Sequence, residues 1–210
     1  MTRRTPAHAR APQASDVGGV DGNERLTSSI AVILFILLFI EGVTILQVNS
    51  LLSAHVFIGV MLIPPVLFKV ATTTWRFVKY YWGDPDYRRK GPPQAILRLL
   101  GPLVVVLTLA VLATGVLLVV WAPASWHQRV FELHRLTFIL WIAVTTIHVL
   151  GHLVETARVA PRDWTRRTRS QVRGASLRQW ALATSVVAGL LAGAWVLPYA
   201  SNWTFNSIQH

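Results

Sequence analysis

Five stretches of this 210-residue chain run almost wholly apolar, and short polar, charged or turn-forming segments separate them. They are Ser29–Val48, Leu51–Thr74, Leu99–Trp121, Phe131–Glu155 and Trp180–Pro198. About 20 helical residues span the roughly 30 Å hydrocarbon layer of a bilayer. A helix also satisfies its own backbone hydrogen bonds, as lipid surroundings require. The pattern predicts an all-α fold, a polytopic membrane helical bundle of five transmembrane helices with little chain left for a soluble domain.

The segments between the runs set the organisation. Met1–Ser28 is polar, rich in Ala, Gly, Pro and Arg, and without an apolar helical period, so it reads as a disordered cytoplasmic tail. No small-residue cleavage site separates the first helix from the second, so the first helix is expected to insert and stay. A turn around Asn49–Ser50 joins the first two helices as an antiparallel hairpin. Pro64-Pro65 removes backbone donors and predicts a kink in the second helix. Trp82–Pro93 is a compact turn-rich loop, and Ala122–Val130 is a second connection. Val159–Arg178 is basic, with room for a short interfacial helix. The fifth helix carries Gly189 and Gly193 in GxxxG spacing, which permits close helix packing. Tyr199–His210 is uncharged and suits the interface. The chain therefore divides into a tail (1–28), a four-helix core (29–156), a basic connection (157–178), an additional C-terminal helix (179–198) and a final tail (199–210).

Composition agrees: 53% of residues are hydrophobic and only 14% charged, against about 25% charged in soluble domains. The net charge of +11 is confined to one side. Arg3, Arg4, Arg10 and Arg25 lie in the tail. Arg76, Lys79, Arg88, Arg89, Lys90 and Arg98 flank the loop after the second helix, and seven arginines from Arg158 to Arg178 fill the last connection. The other side holds only Arg129 and Arg135, beside Glu132. This is the positive-inside pattern, with the N-terminus in and the C-terminus out. It makes lipid, not nucleic acid, the partner of the basic loops. The absence of cysteine excludes disulfides, thiolate-held clusters and covalent haem attachment.

Histidines supply the candidate chemistry. Fourteen residues separate His55 from Lys69, and fourteen separate His134 from His148. A helix turns about 100° per residue, so each step returns to nearly the same face about 21 Å further along. Helices two and four both enter from the outer side, which puts His55 and His134 at one depth and Lys69 and His148 at another. Imidazole inside a membrane usually has a task, and a facing pair suits the two axial positions of a haem iron.

At the inner level, Lys69 is a poor iron ligand when charged. It and Arg76 suit haem propionates or a quinone oxygen, or Lys69 simply snorkels to the surface. His148 and His152 are spaced for a metal on one helix, with Glu155 the nearest carboxylate, yet bonding to backbone or headgroups explains them equally. Gly59 and Gly115 would let a flat macrocycle approach the backbone, or serve helix packing alone. Glu41, deep in the first helix, is suited to orient His55, to pair with Arg129 or Arg135, or to carry protons. Trp141 is placed to pack against a cofactor or within the core.

His55, His134 and His148, with the fourteen-residue spacing and antiparallel helices, resemble the four-helix b-type cytochromes of the bacterial cytochrome b561 and cytochrome b/b6 type. The run from His55-Val-Phe-Ile-Gly59 through Pro64-Pro65 to Lys69, with the Asp84–Pro93 loop, looks like uncharacterised actinobacterial membrane proteins related to that group. The likeness covers Ser29 to Glu155. It implies non-covalent haem b, a place in the bacterial cytoplasmic membrane, and electron transfer between a quinone pool and an extracytoplasmic oxidoreductase partner. It carries His55 and His134 over as iron ligands. Lys69 departs from the expected second inner ligand, so one haem is expected and a second stays open. The competing reading is a haem-free scaffold or small transporter with a polar path through Glu41, Lys69 and His148. A hydrolase ranks last, since no nucleophile–base set is present.

Overall fold

The computed structural model describes residues 18–91, 95–121 and 124–200. Its helices are α1 (Gly19–Leu46), α2 (Val48–Met61), α3 (Ile63–Tyr81), α4 (Pro85–Arg89), α5 (Ala95–Val120), α6 (Ala124–Val159), α7 (Arg166–Arg169) and α8 (Ala175–Val196). Single 3-10 turns follow α6 (Ala160–Asp163) and α8 (Leu197–Tyr199). No strand occurs among the described residues. Five helical stretches are long and apolar enough to cross a membrane: Gly19–Leu46, Val48–Tyr81, Leu97–Val120, Ser125–Asp163 and Ala175–Tyr199.

The helices outrun the apolar stretches. Helix α1 begins ten residues before Ser29, so 19–28 is helix rather than disordered tail. Polar side chains there find distant partners: Asn23 donates to the Thr72 carbonyl at 3.3 Å, and Lys90 pairs with Glu24. The first connection runs from Gln47 (φ −135°) to Leu51 (φ −110°), two non-helical residues that flank the expected Asn49–Ser50 turn. The Ser50 and Leu51 amides and the Ser50 hydroxyl all close onto the Gln47 carbonyl. Most of the expected 122–130 connection is the start of α6. Within the basic connection α7 is a single turn, and α8 already begins at Ala175.

The helix is interrupted at the proline pair, with Leu62 itself keeping helical dihedrals. Leu62 alone separates α2 from α3, and Pro64 and Pro65 sit in the first turn of α3, where missing amides cost least. The ladder resumes with Leu62 N–H to Ile58 and Val66 N–H to Leu62, both at 2.9 Å.

Neighbouring long helices run antiparallel. Thr27 meets Lys69 and Glu41 meets His55 across α1 and α2/α3. Leu97 meets Gly151 and Thr114 meets His134 across α5 and α6. Helix α8 is not a peripheral addition. It packs along α2 and α3, and its Leu182 joins Ile30, Leu34, Leu62 and Val66 in the central core. Val196 completes a second cluster with Val56 and Val119.

At the arginine-rich end, Asp163 fastens three segments together. Arg178 reaches its carboxylate through Nε at 2.5 Å and through a terminal nitrogen at 2.8 Å, and Arg25 donates to it at 3.2 Å. Arg25 also donates to the Thr168 carbonyl at 2.9 Å, and Arg178 to that of Arg173 at 2.7 Å. All three charged side chains are buried.

Candidate functional site

At the end opposite this ion network, α1, α2, α3, α5 and α6 line a half-open cavity of about 420 Å³. That lies in the range of small-molecule and cofactor sites, roughly 300–1,000 Å³. Its walls are mainly aliphatic, with Leu38, Val56, Val111 and Leu112 among them, and aromatic, with Phe138 and Trp141. Its few polar groups are Glu41, His55, Thr108, His134 and Arg135.

His55 comes from α2 and His134 from α6. Their ring centroids are 6.5 Å apart, with the ring planes at 78°. An iron with an imidazole nitrogen about 2 Å away on either side needs ring centroids about 6 Å apart. The expected pairing of these two histidines at one depth is thus what the helices produce.

Each ring is held through Nδ1. The His55 nitrogen lies 2.9 Å from Glu41 Oε1 and 3.0 Å from the Thr44 hydroxyl. Thr44 donates to the Glu41 backbone carbonyl at 2.6 Å, which fixes its side chain between the two. The His134 nitrogen lies 3.0 Å from the Thr114 hydroxyl. That hydroxyl donates back along its own helix to Ala110 and Val111 at 2.8 and 3.0 Å, so its oxygen accepts from His134 Nδ1–H. A carboxylate at His55 selects the same tautomer. In both rings Nε2 then carries the lone pair, the arrangement found when a histidine ligates a metal and its other nitrogen is anchored.

Glu41 therefore pairs with His55, not with Arg129 or Arg135. Gly59 and Gly115 both line the cavity. A Cβ on Gly115 would lie 3.2 Å from His134 Cε1, and one on Gly59 would lie 3.3 Å from Glu41 Oε1. Gly115 makes room for the imidazole and Gly59 for the carboxylate. Trp141 lines the cavity and donates its indole N–H to Thr108 at 2.8 Å.

Sequence reading missed Thr44 and Thr114. A threonine inside a helix commonly back-bonds to a carbonyl three or four residues earlier, as both do, so their second role has no signature. Their spacing does carry a trace: Thr44 is three residues from Glu41 on one helix face.

Lys69 and His148 lie outside this cavity. Lys69 Nζ donates to the Thr27 carbonyl at 2.7 Å. His148 stacks on His152 with centroids 4.8 Å apart, and its buried Nδ1 has no hydrogen-bond partner. His152 reaches Glu155 only at 3.7 Å. Among the described residues no group of three or more His, Cys, Asp or Glu side chains is placed to hold a metal ion, so His148, His152 and Glu155 do not form a zinc site.

Comparison with known proteins finds no match: no family model, no curated protein and no solved structure is similar to this chain.

Proposed function

We propose that the protein is a b-type cytochrome of the bacterial cytoplasmic membrane, with its N-terminus inside. It carries electrons between the quinone pool and an extracytoplasmic oxidoreductase subunit. The observation that carries this reading is the His55–His134 pair, each ring anchored through Nδ1, at one end of an apolar cavity between helices. The residues fit haem b: two imidazoles for the axial positions, aliphatic and aromatic walls for the macrocycle, and Arg135 at the lining for a carboxylate. Bound there, haem supplies one-electron chemistry between ferric and ferrous iron.

The chain's own residues do the rest. His55 and His134 would ligate the iron, and with no cysteine for thioether attachment the porphyrin would be held by that ligation and by packing. Glu41, Thr44 and Thr114 fix the ring orientations and tautomers. Leu38, Val111, Leu112 and Phe138 exclude water. The charge asymmetry of the connections puts this level near the outer face, which favours exchange with the outer leaflet and an external partner over transfer across the whole bilayer.

The test is a reduced-minus-oxidised spectrum of the purified chain with a pyridine haemochrome assay. One haem b per chain is expected in the wild type, and none in H55A or H134A. A haem-free protein from haem-replete cells overturns the reading and promotes a scaffold or transporter.

A further inference from the structure

The two histidines are anchored unequally. His55 Nδ1 faces a carboxylate at 2.9 Å, whereas His134 Nδ1 faces a hydroxyl at 3.0 Å. The Glu41 side chain is 11% exposed and the His55 side chain 13% exposed, so water screens their interaction little. Among the described residues no lysine or arginine forms an ion pair with Glu41; the nitrogen beside its carboxylate is His55 Nδ1. Thr44 holds the carboxylate in place, its hydroxyl lying 3.3 Å from Oε2. Gly59 keeps the space beside Oε1 clear.

A carboxylate bonded to a ligand imidazole makes that imidazole a stronger donor. The electrostatic effect runs the same way. Ferric iron in a porphyrin dianion carries one net positive charge, and ferrous iron carries none. A negative charge one imidazole away stabilises the first state and not the second, and low dielectric enlarges the difference. Thr114 brings no charge, and its proton is committed to its own helix.

From this asymmetry we infer that Glu41 is a positioning residue that sets the redox potential of the site, acting through His55 and holding it low. His134, with Thr114 behind it, is the weaker donor of the pair. The inference rests on the cytochrome reading.

Redox titration of the purified wild type, E41Q and T114V at one pH tests it. Glutamine keeps the shape and a hydrogen-bond acceptor but removes the charge. The expected result is a rise in the E41Q midpoint of at least tenfold in the reduction equilibrium, about 59 mV for one electron, with T114V remaining closer to wild type. An unchanged E41Q midpoint, or equal shifts in the two variants, overturns the inference while the haem content still upholds the cytochrome reading. A haem-free wild type overturns both. If E41Q binds no haem, E41A, which also removes the charge, is titrated in its place: the same upward direction is expected, and no shift overturns the inference.

Discussion

The carbonyl oxygen of Met61 occupies the space that a Cβ on Gly189 would need. This carbonyl is four residues before Pro65, which has no N–H to give it. The proline thus leaves an acceptor without its helical donor, and α8 packs its glycine against it, where weak Cα–H···O contacts recur between helices. Gly193 repeats the approach one turn on, its Cβ position 2.8 Å from the Phe57 carbonyl.

Backbone cannot rotate out of the way as a side chain can. Gly189→Ala is expected to lower the unfolding midpoint in detergent, with a cost of about 1–3 kcal/mol for overpacking, and Gly189→Leu more. Gly42→Ala is the control, since a Cβ there meets nothing within 4 Å. Helix propensity alone makes that change neutral or favourable by up to about 1 kcal/mol. Equal midpoints for G189A and G42A would remove the packing role assigned to the Met61 carbonyl.

Asp163 takes both Arg25 and Arg178, although the three side chains come from α1, the 3-10 turn after α6 and α8. Asp163→Asn leaves two buried guanidinium groups without their carboxylate. Breaking a buried pair from one side costs about 3–5 kcal/mol. Thermal unfolding should fall accordingly, and proteolysis between Pro161 and Gly174 should become easier as that connection loosens. A variant as resistant as the wild type would show that the network holds nothing.

This network was invisible in the sequence for a physical reason. The run from Arg158 to Arg178 follows the positive-inside rule, and nothing in it distinguishes a lipid-facing arginine from Arg178, which closes on Asp163 fifteen residues back. Arg25 is 138 residues from its partner. By contrast, the five membrane-length helices were legible, because apolar length is local and lipid imposes helix. The His55–His134 level was legible too, since helices entering from one side put residues near their starts at one depth. Helix ends were not. Asn23 and Glu24 are polar, and only tertiary partners keep α1 going to Gly19. Gly59 and Gly115 were legible as candidates for the cavity wall, but their closeness to the Glu41 carboxylate and the His134 ring was not, since it depends on contacts between helices.

A Cβ on Gly115 would approach His134 Cε1 to 3.2 Å, tighter than ordinary contact, so the ring must yield by a few tenths of an ångström. Gly115→Ala is expected to retain haem with an altered ligand-field spectrum, and Gly115→Val to lose most of it while the helix content stays unchanged. Dissociation of haem from the two variants, measured by transfer to an acceptor protein, should follow the same order. Full occupancy and a wild-type spectrum in G115V would mean that His134 is not held where its contacts put it.

The inner level offers no second matched pair. The Lys69 side chain is committed to the Thr27 carbonyl through Nζ. His148 Nδ1 lacks the anchoring hydrogen bond that both outer histidines possess, so its ring is not fixed in one tautomer. Lys69→Met and His148→Ala should therefore each leave haem at one per chain, with the spectrum and midpoint of the wild type. The lysine change should cost only about 1 kcal/mol of stability for one lost hydrogen bond. A stoichiometry near two in the wild type, falling to one in H148A, would instead make His148 a ligand and open a path for electrons across the membrane.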